Sequence, residues 1–173
     1  MLVAPPHFAG HTLNPPTRPA EFRLHDQDGR VVSLHGERGK VVLVTFLYTH
    51  CPDVCPLIAT HLNTALRELG PARANVRVLA VSVDPKGDTP TSVRTFVRAH
   101  KLLPQFRYLT GTAAELRPVW ALYHLQIVPG NLDVVDHTAY TLLVDPAGRG
   151  RALYDAQVQA SAVAHDVRLL SGG

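Results

Sequence analysis

The sequence has two cysteines in 173 residues, too few for the disulfide framework of a small secreted module or for a four-thiolate zinc site. No run approaches the roughly 18 consecutive apolar residues that a transmembrane helix needs. The opening MLVAPPHFAG lacks both a basic start and an apolar stretch of signal-peptide length, so the chain as given reads as soluble, with no membrane span. Basic residues do not cluster either. The net charge of +3 is scattered, with Arg94, Arg98 and Lys101 as the densest group, which argues against a nucleic-acid partner. No internal repeat and no sign of a second domain is present. What remains, 46% hydrophobic and 18% charged, is an ordinary globular composition with enough chain for one full core.

Against that plain background one stretch stands out, Val41 to Pro56, VVLVTFLYTHCPDVCP. Its first half is a continuous apolar run rich in β-branched and aromatic residues, the pattern of a strand buried on both faces. Its second half carries both cysteines, Cys51 and Cys55. Beyond Pro56 the apolar period becomes helical, with Leu57, Ile58, Leu62, Ala65, Leu66 and Leu69 on one side. Two thiols therefore sit where a core strand hands over to a helix, and ligands collect at that end of an open α/β sheet.

The rest of the chain supplies the sheet. Residues 1–19, with five prolines and no periodicity, read as an extended N-terminal lead-in to a single domain over 20–173. EFRLHDQDGRVVSL reads as an N-terminal β-hairpin turning at Asp26–Gly29. After the cysteine helix, halted by Gly70 and Pro71, the run 76–84 is a second core strand. Asp88-Thr89-Pro90 opens a helix, 106–109 is a short strand, and Thr112–Glu115 is a capping box starting a third helical segment. A long loop over 126–137 precedes strands at 139–144 and 151–154, joined by Asp145-Pro146-Ala147-Gly148, and 157–170 is a final amphipathic helix. The order ββ, βα, βα, βα, ββ, α predicts an α/β protein with a central mixed sheet flanked by helices, laid out like a thioredoxin-like fold.

Several chemistries are open to the cysteines. On a helix, positions four apart share a face with Cβ atoms about 5–6 Å apart, so Cys51 and Cys55 can hold one ion or close a disulfide. A cap at Asp53, or a helix starting near Pro56, puts Cys55 at the positive end of a helix dipole, which favours its thiolate. Three residues lie between the cysteines, where thioredoxin-type redox motifs have two. A single pair also falls short of structural zinc, whereas two thiolates and one imidazole suit copper. The pair also reads as a structural disulfide, as two buried thiols, or as a thiol–disulfide oxidoreductase in which the outer Cys51 attacks and Cys55 resolves. The peroxidase pattern P-x3-T-x2-C is absent.

Of ten histidines, His137 has the favoured position, at the entry to the penultimate strand where a thioredoxin-like fold sets a loop opposite the redox turn. His50 abuts Cys51. His7 and His11 have ligand-like spacing in the lead-in, and His61, His100, His124 and His165 lie on helices away from the cysteines.

Three ordered blocks, FLYTHCPDVCP, VSVDPKGDTP and VDHTAYTLLVDPAGR, resemble the signatures of the Sco/SenC copper-binding proteins of cytochrome c oxidase assembly, over most of the chain from about Phe22. The resemblance implies one copper ion, Cu(I) or Cu(II), held by Cys51, Cys55 and His137, with Asp136 positioned to orient that histidine. It implies a metallochaperone, not an enzyme, that delivers copper to the dinuclear site of cytochrome c oxidase subunit II or maintains its thiols. Other copper chaperones or thiol oxidoreductases would be further partners. Family members are usually membrane-anchored in the periplasm or another extracytoplasmic compartment, and this chain shows no such anchor helix.

Overall fold

The computed structural model describes residues 6–127 and 139–172. In chain order the elements are strands β1 (His11–Thr17), β2 (Arg23–His25), β3 (Val31–Ser33) and β4 (Val41–Leu47), helix α1 (Val54–Glu68), β5 (Val76–Ser82), α2 (Pro90–Ala99), β6 (Phe106–Leu109), α3 (Ala113–Leu122), β7 (Thr141–Val144), β8 (Gly150–Tyr154) and α4 (Ala160–Leu170). Six strands form one mixed sheet in the order β1-β8-β7-β4-β5-β6, and helices flank it in the thioredoxin-like manner expected from the pattern.

β4 is the centre of this sheet. It runs parallel to β5, with Val41 opposite Val76 and Leu47 opposite Ser82, and antiparallel to β7. All seven of its residues are buried, as the unbroken apolar run required. Its one polar residue, Thr45, finds a partner in the core: the Thr141 hydroxyl donates to the Thr45 hydroxyl at 3.0 Å. β5 in turn runs parallel to β6, which extends the sheet on that side.

Helix starts follow local chemistry. Thr89 caps α2 by accepting the Ser92 N–H, with Pro90 at the first helical position. Thr112 and Glu115 form the reciprocal capping box of α3. α1 stops before Gly70, whose φ of +56° suits glycine. α4 begins at Ala160, later than the apolar pattern suggested, because Asp155 ties up the Gln157 N–H in a turn at 2.8 Å.

The lead-in needs correcting in one respect. Residues 11–17 are extended but are also an edge strand, β1, paired antiparallel with β8. Six of the seven residues are exposed, so no alternation marked the strand in the sequence. Its two prolines cannot donate to a ladder, which confines it to an edge. Just before it, the fully buried Asp166 carboxylate of α4 accepts the N–H groups of Ala9 (2.7 Å) and Gly10 (2.9 Å) and the Tyr154 hydroxyl (2.7 Å).

At the opposite edge sits the β2–β3 pair, a separate two-stranded sheet. Asp26 organises the turn between its strands by accepting the N–H groups of Asp28 and Arg30, both at 2.9 Å. A bridge joins His25 to Thr110, and the Gln27 side chain lies along β6 like a short strand. Its amide accepts the Tyr108 N–H at 3.0 Å and donates to the Phe106 carbonyl at 3.2 Å. Phe22, Phe46, Tyr123 and Tyr140 form a chain of ring contacts, centroids 5.6–6.0 Å apart, that continues the core beneath this pair.

Truncating the centre of β4 should therefore cost far more than an equal truncation outside. Leu43→Ala, at a site 1% exposed, is expected to lower stability by about 2–5 kcal/mol. Leu122→Ala, at a site 57% exposed, should change it by no more than about 0.5 kcal/mol. Urea unfolding midpoints at constant m-value check both.

Candidate functional site

Beyond Leu47 the β4 ladder ends, and the chain turns through Tyr48, Thr49, His50 and Cys51 before α1 begins at Val54. The Cys51 N–H bonds the Tyr48 carbonyl at 3.3 Å, closing a tight turn. Asp53 takes the N-cap position of α1, but its side chain makes no cap bond. The Cys51 sulfur serves instead, accepting the Cys55 N–H at 3.3 Å. Both cysteines are buried, Cys51 4% exposed and Cys55 1%.

This geometry corrects one expectation. The two residues do not share a helical face, because Cys51 precedes the helix. The fold of the turn, not a helical repeat, brings its sulfur to the backbone of Cys55. Cys55 stands in the first turn of α1 as expected, and the helix terminus acts on Cys51 as well, whose sulfur receives a terminal N–H. Cys51 is the more exposed of the two, as its outer position implied, though both are buried.

The environment lowers the Cys51 pKa from 9.0 to about 6. A hydrogen bond with the Cys55 side chain is the largest cause, opposed by burial, and the backbone of Asp53 and Cys55 and the Tyr48 side chain contribute further. Donors aimed at a sulfur favour its anion over the neutral thiol. Cys51 is accordingly thiolate at neutral pH and takes up a proton only as the pH falls through about 6.

A second anion lies beside the turn. The Asp88 carboxylate, 4% exposed, receives four donors: the Thr49 N–H and hydroxyl, both at 2.8 Å, the Ser82 hydroxyl at 2.6 Å and the Tyr108 hydroxyl at 2.9 Å. Burial nevertheless raises its pKa, outweighing the hydrogen bonds that lower it. His50, Asp84 and Asp88 place one ligand-type atom each within 4.8 Å of one another, the one such cluster of three among the described residues. With four donors already on Asp88 and the Gly87 N–H on Asp84 at 3.1 Å, the cluster reads as a hydrogen-bonded hub rather than an ion site. Gly87 leaves room for the Asp84 carboxylate as it is placed here. A Cβ there would collide with the Asp84 carboxylate and stand 3.2 Å from His50 Nδ1. A groove of about 1120 Å³ runs alongside, with Tyr48, His50, Lys86, Trp120 and Ile127 in its walls.

The sequence reading found the cysteines and missed Asp88 and Tyr48. Asp88 stood next to a good cap residue and a proline, so it read as part of a helix start. Thr89 performs the capping and leaves Asp88 to turn inward. Two candidate caps in a row were the available signal. His137 and Asp136 lie outside the described residues. His50 is exposed and faces the 84–88 turn, His100 lies tilted against Phe96 with ring centroids 4.4 Å apart, and His165 pairs with Asp166 at 2.8 Å.

The SCO1/SenC family model matches residues 11–171. The chain belongs to the SCO1/SenC family. A Bacillus subtilis SCO1 protein homolog is 30% identical over 132 residues, covering 74% of this chain and 68% of its own. Bradyrhizobium japonicum ScoI, solved with copper bound, is similar with a TM-score of 0.73 at 27% identity, over 89% of this chain and 99% of that one. BsSco, described through a disulfide switch and as a member of the Sco family of cytochrome c oxidase assembly proteins, is similar with a TM-score of 0.75 at 25% identity, over 91% and 95%. The chain spans 44% to 68% of the length of the curated relatives it matches. Among the described residues no helix is long and apolar enough to cross a membrane.

Alkylation should expose the Cys51 thiolate directly. Under denaturant-free conditions, its iodoacetamide rate at a fixed protein concentration is expected to fall with a midpoint near pH 6 as the thiolate is protonated. Tyr48→Phe, which removes one of the donors, should move that midpoint upward. Peptide mapping after a timed pulse reads both.

Proposed function

We propose that this chain binds one copper ion through the thiolates of Cys51 and Cys55 with the imidazole of His137, and serves in assembly of cytochrome c oxidase. The copper is cargo. It is handed to the dinuclear site of subunit II, or the same thiols keep that site's cysteines reduced. Family membership and the resemblance of the D-H-T block support His137 as third ligand, with Asp136 beside it to orient the ring. The observation that carries the reading is the pair of adjoining sulfurs at the end of β4, one of them favoured as thiolate by the Cys55 side chain first and by helix-terminal N–H groups besides. That donor set suits a soft ion, which needs deprotonated thiols and would find one already prepared. The periplasm, or another extracytoplasmic compartment, is the setting proposed, again on family grounds.

A second reading rests on the same sulfur. A thiol with a pKa of about 6 is a ready nucleophile, so Cys51 can attack a partner disulfide and Cys55 can resolve the mixed disulfide. Burial of Cys51 argues for a partner that opens the turn as it docks. Copper transfer and thiol exchange draw on one dithiol, and oxidation to the Cys51–Cys55 disulfide would abolish the metal site.

An anaerobic Cu(I) and Cu(II) titration of the reduced protein tests the reading. One tight copper per chain is expected, with sulfur-to-Cu(II) charge-transfer absorption that Cys51→Ala, Cys55→Ala and His137→Ala each weaken. Affinity should drop most steeply as the pH falls through about 6, where protons compete for Cys51. Wild-type affinity no better than that of the cysteine variants would overturn the copper reading. His137→Ala that loses copper but keeps thiol exchange would assign the two activities to one site with different requirements.

A further inference from the structure

The VSVDPKGDTP block contains a buried carboxylate that neither copper binding nor thiol exchange uses. Asp88 sits between the end of β5 and the start of α2, anchored by its own N–H to the Asp84 carbonyl at 2.8 Å. A buried, unpaired carboxylate is costly unless donors surround it, and this one has four. The plain explanation is that it ties strand ends together.

Two of the four bonds fit that explanation poorly. Ser82 and Tyr108 lie in strands whose register is already fixed, Ser82 opposite Leu47 and Tyr108 opposite Ala80. Their hydroxyls satisfy the carboxylate but are not needed to place the strands. Thr49 is different. It lies two residues past the last ladder pair of β4, and its N–H and hydroxyl both go to one oxygen of Asp88. The Cys51 sulfur, two residues further on, meets the Cys55 side chain and, at 3.3 Å, the Cys55 N–H. The Asp88 oxygen anchors the turn that carries it there, beside the bond of the Cys51 N–H to the Tyr48 carbonyl.

We propose that Asp88 is the positioning residue of the cysteine site, holding Thr49 so that the Cys51 sulfur is presented to the α1 terminus and to the incoming metal or disulfide. The copper arm of this proposal rests on the function proposed above. The dithiol arm does not. Asp88 acts through Thr49.

The test compares Asp88→Ala and Asp88→Asn with wild type. Two quantities are read: the Cys51–Cys55 dithiol–disulfide equilibrium against glutathione buffers, and anaerobic Cu(I) affinity by competition. Circular dichroism and urea midpoints monitor the fold. Asp88→Ala is expected to shift the equilibrium and weaken copper, each by about tenfold or more, the scale for lost outer-sphere support of a ligand. Asp88→Asn keeps an oxygen for both Thr49 donors, and its NH₂ can donate to the Ser82 and Tyr108 hydroxyls. It should restore both quantities to within about threefold. Ser82→Ala combined with Tyr108→Phe, which spares the Thr49 bonds, should lower the urea midpoint and leave both quantities near wild type. If Asp88→Ala fails to fold, Thr49→Val removes one of the two turn bonds and should move the dithiol equilibrium in the same direction.

Asp88→Ala, or Thr49→Val in its place, leaving both quantities within about twofold of wild type would overturn the proposal. A Ser82/Tyr108 double variant that perturbs both as strongly as Asp88→Ala would also overturn it, by showing a general structural role. Wild-type protein that binds no copper overturns the copper reading alone, because the dithiol equilibrium still reports on Asp88.

Discussion

The rest of the molecule follows from the sealing of β4. It is hydrogen-bonded along both edges and buried over its whole length, so it can carry no chemistry of its own. Even Thr45 is used up internally, by Thr141. Polar work is excluded until the strand ends at Leu47, and then it is concentrated in a few residues. Tyr48, Thr49 and Cys51 all take part in bonds that the strand itself could not have housed. A rigid base with a short polar tip is a good way to hold reactive groups within a narrow tolerance.

Two anions share that tip, and the protein treats them in opposite ways. Donors converge on each: on Cys51 from the Cys55 side chain, the backbone and Tyr48, and on Asp88 from Thr49, Ser82 and Tyr108. For the sulfur the donors prevail over burial and the pKa goes down; for the carboxylate burial prevails and the pKa goes up. The outcomes suit their places. The thiol becomes available as an anion near neutrality, while the carboxylate is engaged by its four donors. Tyr108, donating into Asp88, is itself pushed well up by burial, so it remains a donor at any ordinary pH.

Much of this was legible in the residues, for identifiable reasons. The buried strand announced itself because a run of apolar and β-branched residues broken only by Thr45 admits few other readings, and the caps at Thr89 and Thr112 because Thr-Pro and Thr-x-x-Glu have local causes. The cysteines were legible as a site because of where they stand relative to that strand. β1 was not, since an edge strand exposed on both sides leaves no period to read. The inward turn of Asp88 and the capping role of the Cys51 sulfur were hidden for another reason. Each depends on partners 39 residues away, or on a turn geometry that spacing alone cannot supply. The Asp166 clasp on Ala9 and Gly10, across more than 150 residues, belongs to the same class.

The two margins of the sheet bear on how such a molecule meets others. On the β1 side, Pro15 and Pro16 withhold the amides that an incoming strand would use. On the β6 side, the Gln27 amide and the His25–Thr110 bridge already occupy backbone groups of the last rung. Recruitment by strand addition, the most promiscuous mode of protein contact, thus meets a blocked margin at both ends. Recognition is left to side chains, and so to the ends of the strands, where the thiols are.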